Sequence, residues 1–222
     1  MKFQTPKNHA SAKDNYISSK IQFAINPETG YQSVISTARI PANEIILVEY
    51  PCATLYGELD IDRGLQTIMK YIILAEHHHH GIASLYPRIE DIYTFPRTPM
   101  IKQIHKIIKS IPASQKKMKT FFEKYTKTEL EFYYAKYIFN AFEGYEYGPL
   151  TLPYLAKFNH SCNSNIGFEF DGFSGVMIVK TRRVILAGEE LFNSYLVNKK
   201  IGNHKEYLYD HYGFVANCKC SV

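Results

Sequence analysis

Two short stretches of this chain bring together side chains that could bind and orient a polar ligand. Amide, imidazole, hydroxyl and thiol groups follow one another over residues 159–165, directly before a strand-like run at 166–170. A turn so rich in donors and acceptors favours a functional role over a plain connection. The second stretch has strand-like runs at 176–179 and 184–186, a turn at 187–188, and Tyr195 at its end. This pattern predicts a hairpin that delivers one tyrosine.

The motifs in these stretches resemble those of SET-domain protein-lysine methyltransferases. They are Asn-His-Ser-Cys-x-x-Asn at 159–165, Gly-Glu-Glu-Leu at 188–191 with Tyr195, Tyr-Gly-Phe at 212–214 and Cys-x-Cys at 218–220. The chain is most similar to the SET- and MYND-domain type and to fungal-type SET proteins. No MYND finger is expected, because no cysteine lies between Cys52 and Cys162. The resemblance implies a mostly β, α+β fold, with small sheets around a threaded (pseudoknotted) C-terminal segment.

The implied activity is protein-lysine N-methylation with S-adenosylmethionine, on histone tails or other basic proteins. Tyr195 matches the tyrosine beside the transferring methyl group, and Tyr212 matches a wall of the lysine channel. The enzyme must bind a neutral amine, although a free lysine has a pKa of ~10.4. Rings that exclude water lower that pKa, and phenolic oxygens orient the amine. The alternative is a SET-fold protein or chromatin interaction module that is catalytically weak or inactive.

The resemblance also assigns the cofactor contacts. Asn159 and His160 match residues that hold S-adenosylmethionine, and Phe214 matches an aromatic side chain that stacks on its adenine. Asn140 matches the asparagine of an Asn-x-Phe element that contacts the cofactor, and it also fits a helix cap. The predicted cofactor-binding set is Tyr31, Ser33, Val34, Asn140, Asn159, His160, Tyr195 and Phe214.

Two of these positions depart from the family pattern. The family shows Gly-x-Gly where this chain has Tyr31 and Ser33, and glycine permits close approach of the backbone to the cofactor. Backbone groups make the contact, so cofactor binding is still expected. This departure supports the inactive alternative, together with the incomplete set of zinc-binding cysteines in the tail.

A zinc site is a second implication of the resemblance. The family joins the cysteine of the Asn-His-Ser-Cys motif to three cysteines of the tail, and here Cys162, Cys218 and Cys220 supply three thiolates. Structural zinc takes four ligands. Either the chain continues further, or His204 or His211 completes the site, or no zinc binds.

Composition and length limit the classes of protein to which the chain could belong. With 222 residues, 45% of them hydrophobic, the chain can bury a full core. The net charge of +5 is too small to indicate a nucleic-acid binder unless the charge is clustered. We find no secretory signal or membrane-spanning run, and only four cysteines. We therefore expect an intracellular protein, in the nucleus or cytoplasm or both, without membrane contact; the oligomeric state stays open.

Periodicity predicts the elements that position these motifs. They are a hairpin at 21–25 and 31–35, a strand at 45–48, and helices at 60–74, 101–111 and 114–142. The expected organisation is an N-terminal part of the SET domain (19–57), a helical insertion (58–148), a C-terminal part (149–210) and a partial post-SET tail (211–222).

The helical insertion carries a cluster that we call the lysine patch. Its members are Lys102, Lys106, Lys109, Lys116, Lys117, Lys119, Lys124 and Lys127, with Glu123 as the acidic residue among them. Such a patch could attract an acidic partner such as chromatin, or it could be a solvated helix face. Four histidines at 77–80 could bind a metal, but neighbouring helix residues point in different directions, which favours a solvated helix end.

Overall fold

The computed structural model describes residues 15–26, 30–52, 61–77, 80–143, 149–196 and 203–215. Its strands are β1 Tyr16–Ile17, β2 Ile21–Ile25, β3 Gln32–Ser36, β4 Ile45–Glu49, β5 Ala141–Glu143, β6 Pro149–Thr151, β7 Ile166–Asp171 and β8 Val176–Thr181. Its α-helices are α1 Ile61–Glu76, α2 His80–Ala83, α3 Pro99–Lys102, α4 Ile104–Lys109, α5 Lys116–Phe122, α6 Lys127–Asn140 and α7 His204–Tyr212. Short 3-10 turns cover Ile89–Asp91 and Leu155–Lys157. The predicted α+β class is confirmed.

The described strands form small antiparallel sheets, as the family resemblance implied. The largest has the order β1-β4-β8-β7, and two further pairs are β2–β3 and β5–β6. The hairpin predicted near the N-terminus is confirmed as β2–β3, in which Phe23 pairs with Val34. In the larger sheet Leu47 pairs with Val179, and both are fully buried. Because side chains alternate across a strand, these pairs place one face of the sheet on an apolar core.

The predicted hairpin leading to Tyr195 is wrong in its second half. Residues 184–186 are not a strand; Ile185 makes an isolated bridge to Ile40. Further on, Glu190 bridges to Ile35 of β3, and Asn193 bridges in parallel to His160. The segment 189–193 therefore lies between β3 and the turn at 159–161, bonded to both. This arrangement fits the threaded C-terminal segment that the resemblance implied.

The helices α1 to α6 pack around a separate apolar core. Its members include Leu65, Tyr71, Ile72, Ile101, Ile104, Phe122, Phe132 and Ala135. The helix predicted at 60–74 is confirmed as α1. The domain boundaries remain a prediction, to which the structure adds one core for the helices and another for the sheets. Among the described residues, no helix combines the length and apolar composition needed to span a bilayer.

Two of the predicted helices are each divided in two. The helix expected at 101–111 is interrupted at Gln103, between α3 and α4. The helix expected at 114–142 is divided into α5 and α6. Helix α6 begins with a capping box, in which Thr126 N donates to Glu129 Oε2 (2.7 Å) and Glu129 N donates to Thr126 Oγ1 (3.3 Å). Aromatic residues on both sides of this break continue the helical period, so periodicity alone hides it.

Candidate active site

A cavity of about 390 Å³ opens where the helical core meets the sheets. Its lining comes from β3, from the segment after α2, from the end of α6, from the 156–160 turn and from the ends of both C-terminal motifs. The lining residues are Tyr31, Gln32, Ser84, Leu85, Tyr86, Arg88, Pro96, Phe139, Asn140, Ala156, Lys157, Asn159, His160, Tyr195, Tyr212, Gly213 and Phe214. The predicted residues at 31, 140, 159, 160, 195, 212 and 214 are all among them.

Three aromatic rings from the C-terminal motifs meet on one wall. The ring centroids of Tyr195 and Tyr212 are 4.7 Å apart, and that of Phe214 is 6.2 Å from Tyr195. Tyr195 Oη donates to the carbonyl of Phe158 at 3.1 Å. A phenol has a single hydrogen, so the lone pairs of this oxygen remain for a donor in the cavity. Burial raises the pKa of Tyr195 and of Tyr212, so both stay neutral at physiological pH.

His160 supports the tyrosine wall through both ring nitrogens. The backbone N–H of Tyr195 donates to Nδ1 at 3.1 Å, and Nε2 lies 3.1 Å from Cys162 Sγ. Burial, with a smaller contribution from His204, lowers the pKa of His160 to about 4. The ring is then neutral, and because Nδ1 accepts, Nε2 carries the hydrogen and points to the sulfur. The side chain thus positions Tyr195 while the ring itself lines the cavity.

Asn159 joins three segments around the cavity. Its Nδ2 lies 3.0 Å from the carbonyl of Gln32, 3.2 Å from Ser33 Oγ and 2.9 Å from Glu190 Oε1. These acceptors belong to β3 and to the threaded segment. One side chain therefore joins β3, where Ser33 replaces a glycine of the family, to the Asn-His-Ser-Cys motif and to the Gly-Glu-Glu-Leu motif.

The two departures from glycine have different structural outcomes. Ser33 is 1% exposed, lies outside the cavity lining and turns its hydroxyl toward Asn159. Val34 is also fully buried in the sheet core, so any contact it makes to a ligand is through its backbone. Tyr31 is 47% exposed at the rim, with its ring 5.3 Å from that of Tyr86 in an edge-on contact. Ser33 thus does not fill the cavity, whereas Tyr31 forms part of its edge.

Asn140 caps the last turn of α6 and also lines the cavity, while its contact with the cofactor remains a prediction. Its Nδ2 donates to the carbonyl of Tyr86 (2.6 Å) and to that of Lys136 one turn earlier (2.7 Å). Both amide hydrogens are therefore directed to protein carbonyls. A ligand in the cavity could meet this side chain through Oδ1, its remaining acceptor.

The C-terminal tyrosine is held in place by the loop before α3. Helix α7 ends at Tyr212 and is followed by Gly213, whose φ of 75° is the left-handed conformation typical of a glycine after a helix. A Cβ at this position would lie 2.6 Å from atoms of Pro96. Nearby, Thr98 Oγ1 donates to the carbonyl of Asp210 at 2.7 Å. These contacts fix the end of α7, and with it the place of Tyr212.

Sequence reasoning missed several lining residues, among them Arg88 on the helical side and Lys157 on the sheet side. Arg88 Nη2 donates to the carbonyl of Gly30 at 3.4 Å, next to the rim. Lys157 places Nζ over the ring of Phe23 at 5.1 Å, and burial lowers its pKa. Neither belongs to a motif. The one sequence signal is that Lys157 comes two residues before Asn159, at the edge of the Asn-His-Ser-Cys motif.

The described residues supply one part of the predicted zinc site. Cys162 is half-buried and in contact with His160, and burial raises the pKa of its thiol. Cys218 and Cys220 lie outside the described residues, and His211 Nδ1 lies 3.0 Å from the carbonyl of Tyr207. Over the described parts of the chain, no three His, Cys, Asp or Glu side chains gather around a common metal position. Zinc binding therefore remains a prediction.

The eight lysines of the lysine patch are all exposed, on α3 to α6 and the turn before α6. In the part of the chain that the structure describes, none of them forms an ion pair. The patch is thus solvated and available, which leaves both of its interpretations open. Of the four histidines, His77 is exposed, and His78 and His79 lie outside the described residues.

Fold and site together define a SET domain, and the chain belongs to this family: the SET domain model matches residues 32–196. A SET domain-containing protein of Acanthamoeba polyphaga mimivirus is 30% identical over 192 residues, which are 84% of this chain and 71% of that protein. The predicted family membership is confirmed.

Solved structures of low sequence identity share the fold. The SET domain of LSMT bound to methyl-lysine and AdoHcy superposes with a TM-score of 0.61 at 16% identity, over 93% of this chain and 55% of that one. Rubisco LSMT bound to AdoMet gives a TM-score of 0.60 at 16% identity, over 89% of this chain and 52% of that one. This chain therefore spans about half the length of those solved chains.

Proposed function

We propose that this chain is a protein-lysine N-methyltransferase that uses S-adenosylmethionine. The observation that carries the proposal is the tyrosine pair, with centroids 4.7 Å apart, in a cavity that Asn159 and His160 also line. Membership of the SET family supports it, as do fold relatives bound to AdoMet, AdoHcy and lysine. S-Adenosylmethionine, when bound, would supply the methyl group from a sulfonium centre.

In this proposal the aromatic wall prepares the lysine amine. Tyr195 and Tyr212 exclude water from a bound lysine, and desolvation lowers the pKa of an amine toward the neutral form. Tyr195 Oη, whose hydrogen is committed to the Phe158 carbonyl, would accept a hydrogen from the amine and direct its lone pair. Neutral phenols suit this work, because they orient the amine without adding a negative charge.

The cofactor contacts are proposed for the residues around the same cavity. Phe214 would stack on the adenine, Asn140 would use Oδ1, and the backbone at Tyr31, Ser33 and Val34 would approach the methionine end. Asn159 and His160 would contribute backbone groups, because their side chains are engaged within the protein.

The proposed substrates are lysines of histones or of other basic proteins. The lysine patch supports a second contact, with an acidic partner such as the DNA of chromatin, because its charges are exposed and clustered. This partner would place the protein in the nucleus, with the cytoplasm as the other proposed location. A zinc ion held by Cys162, Cys218 and Cys220 remains part of the proposal for the tail.

The first test is calorimetric titration of S-adenosylmethionine into the wild-type chain and into His160→Ala. Micromolar binding that the variant weakens or loses, because Tyr195 N loses the Nδ1 acceptor that positions it, would support the cofactor site. Binding without transfer to any basic protein would favour the interaction-module alternative, which Tyr31 at the rim also supports. No binding to the wild type would contradict the proposal.

The second test is the Tyr195→Phe variant, assayed for methyl transfer to histone mixtures. Transfer should fall by about 100-fold, because the amine loses its orienting oxygen. Tyr209→Phe, on an exposed position of α7, is the matched control and should keep wild-type activity. Unchanged turnover in Tyr195→Phe would remove this residue from the mechanism.

A further inference from the structure

A lysine lies inside the helical core, where no motif explains it. Lys136 is 2% exposed on α6, one turn before Asn140. Lysine is among the residues that are almost never fully buried unless they are paired. A buried ammonium group must therefore be compensated by specific acceptors.

The acceptors are three backbone carbonyls of one short segment. Lys136 Nζ donates to Ala83 at 3.2 Å, to Pro87 at 2.7 Å and to Leu85. Three carbonyls match the three hydrogens of an ammonium group. Burial lowers the pKa of Lys136 to about 8, so the group is still mostly charged at neutral pH.

The segment that Lys136 binds is a wall of the cavity. Ser84, Leu85, Tyr86 and Arg88 all line it, whereas Lys136 itself does not. The ring of Tyr86 lies between two other lining rings, at 5.3 Å from that of Tyr31 and 6.0 Å from that of Phe139. Residues 84–87 are a turn and bends, and Arg88 has no regular secondary structure, so no strand or helix ladder holds them there.

We propose that Lys136 is a positioning residue, which holds residues 83–87 in the shape that binds the cofactor; this inference rests on the proposed function. Replacement by an apolar side chain would leave three carbonyls without their donor and would let the segment relax toward solvent. The first property to suffer is binding in the cavity. Transfer from the bound state should suffer much less, because Lys136 contacts neither Tyr195 nor Tyr212.

A purely structural role would give a different result, and a neighbouring hydrogen bond provides the control. Tyr71 Oη donates to the carbonyl of Lys136 at 3.0 Å and is fully buried. Tyr71→Phe removes a buried hydrogen bond from the same turn of α6 and leaves the three bonds from Lys136 to residues 83–87 in place. It should lower the melting temperature and leave cofactor binding alone.

The experiment compares Lys136→Met with Tyr71→Phe in steady-state kinetics and thermal unfolding. Both variants should melt below the wild type. Only Lys136→Met should raise KM for S-adenosylmethionine, by about tenfold, with kcat within about threefold of wild type. The proposal is overturned if KM stays at the wild-type value, or if Tyr71→Phe raises it equally.

Amide hydrogen exchange on the wild type tests the wall even if Lys136→Met does not fold. Leu85 N donates to the carbonyl of Ile82 at 3.1 Å, and Arg88 N to Asp91 Oδ2 at 2.8 Å. A wall that is already held should protect both amides without cofactor, nearly as well as those of α6. Exchange at the rate of an open turn would contradict the proposal. A wild type that binds no S-adenosylmethionine defeats the proposed function, whereas exchange reports on the wall independently.

Discussion

The two sides of the cavity are held by different kinds of hydrogen bond. On the sheet side, main chain bonds to main chain: Leu191 N to the Val34 carbonyl, and Asn193 N to the Asn159 carbonyl, both at 2.8 Å. On the helical side, the side chains of Lys136, Asn140 and Thr98 reach main-chain carbonyls. Hydrogen bonds between main-chain groups persist through many side-chain substitutions, whereas the position of the helical side depends on individual side chains.

The sheet side has exceptions, and they should give the largest effects. Where it uses a side chain, that side chain binds several groups at once, as Glu49 and Asn159 do. On the helical side, Lys136 also binds several groups, but a side chain with weaker or fewer bonds, such as Thr98, should matter less. Three predictions test this order, from the largest expected effect to the smallest.

The first concerns Glu49, a fully buried carboxyl that accepts from Tyr154 N (2.7 Å) and Leu155 N (2.8 Å). Burial raises its pKa from 4.5 to about 8, despite these two bonds. The folded state therefore keeps a proton that the unfolded state loses. The resulting stabilisation is complete below the unfolded pKa and disappears as the pH rises toward 8.

Urea unfolding from pH 6.5 to pH 8 measures this effect, because below pH 6.5 the lowered pKa of His160 gives an opposite slope. The free energy of unfolding should fall by up to about 1.4 kcal/mol per pH unit in the wild type. Glu49→Gln cannot titrate and should flatten the slope, while Glu169→Gln, at an exposed position of β7, should preserve it. An equal slope in Glu49→Gln would assign the pH dependence to other groups.

The second prediction is that Asn159→Ala destabilises the protein by about 3 kcal/mol, because acceptors on two segments lose one donor. Cofactor affinity should fall about 100-fold in the same calorimetric titration. Asn163→Ala, at an exposed position of the same motif, is the control. Wild-type affinity in Asn159→Ala would show that the main-chain bonds hold the sheet side without it.

The third prediction is that Thr98→Val costs about 1–2 kcal/mol of stability, since it removes the bond to the Asp210 carbonyl and the cap of α3, in which Thr98 Oγ1 accepts from Ile101 N at 3.4 Å. The end of α7 should loosen, and transfer should fall modestly with cofactor affinity unchanged. Thr94→Val removes an exposed hydroxyl from the same loop and should have no effect. A loss as large as that of Asn159→Ala would reverse the proposed order of the two sides.

The sequence predicted the sheet side well, because its functional residues lie in contiguous motifs. The resemblance carried by the motifs assigned Asn159, His160 and Tyr195, together with Tyr212 and Phe214 at the end of α7, to one site, and the structure brings them together. Strands were predicted from short β-branched runs. The route to Tyr195 was missed, because a segment bridged to two distant partners has no local pattern of its own.

The helical side was predictable in its composition but not in its contacts. Apolar periodicity indicated the helices, yet it passed over the capping box at Thr126. The bonds of Lys136 join residues about 50 positions apart. No spacing rule connects such residues, and lysine in a helix normally indicates an exposed face. Only the folded arrangement reveals that this lysine is buried.

The threaded segment also determines when the site can exist during synthesis. His160 and Tyr195 are 35 residues apart, and the segment between β3 and the 159–161 turn is the last piece of the sheet side to be translated. A nascent chain that has emerged from the ribosome only as far as the Asn-His-Ser-Cys motif has only part of the cavity lining. The cavity therefore stays incomplete until the threaded segment has passed into place and residues 212–214 have followed it, so partly translated chains should be inert.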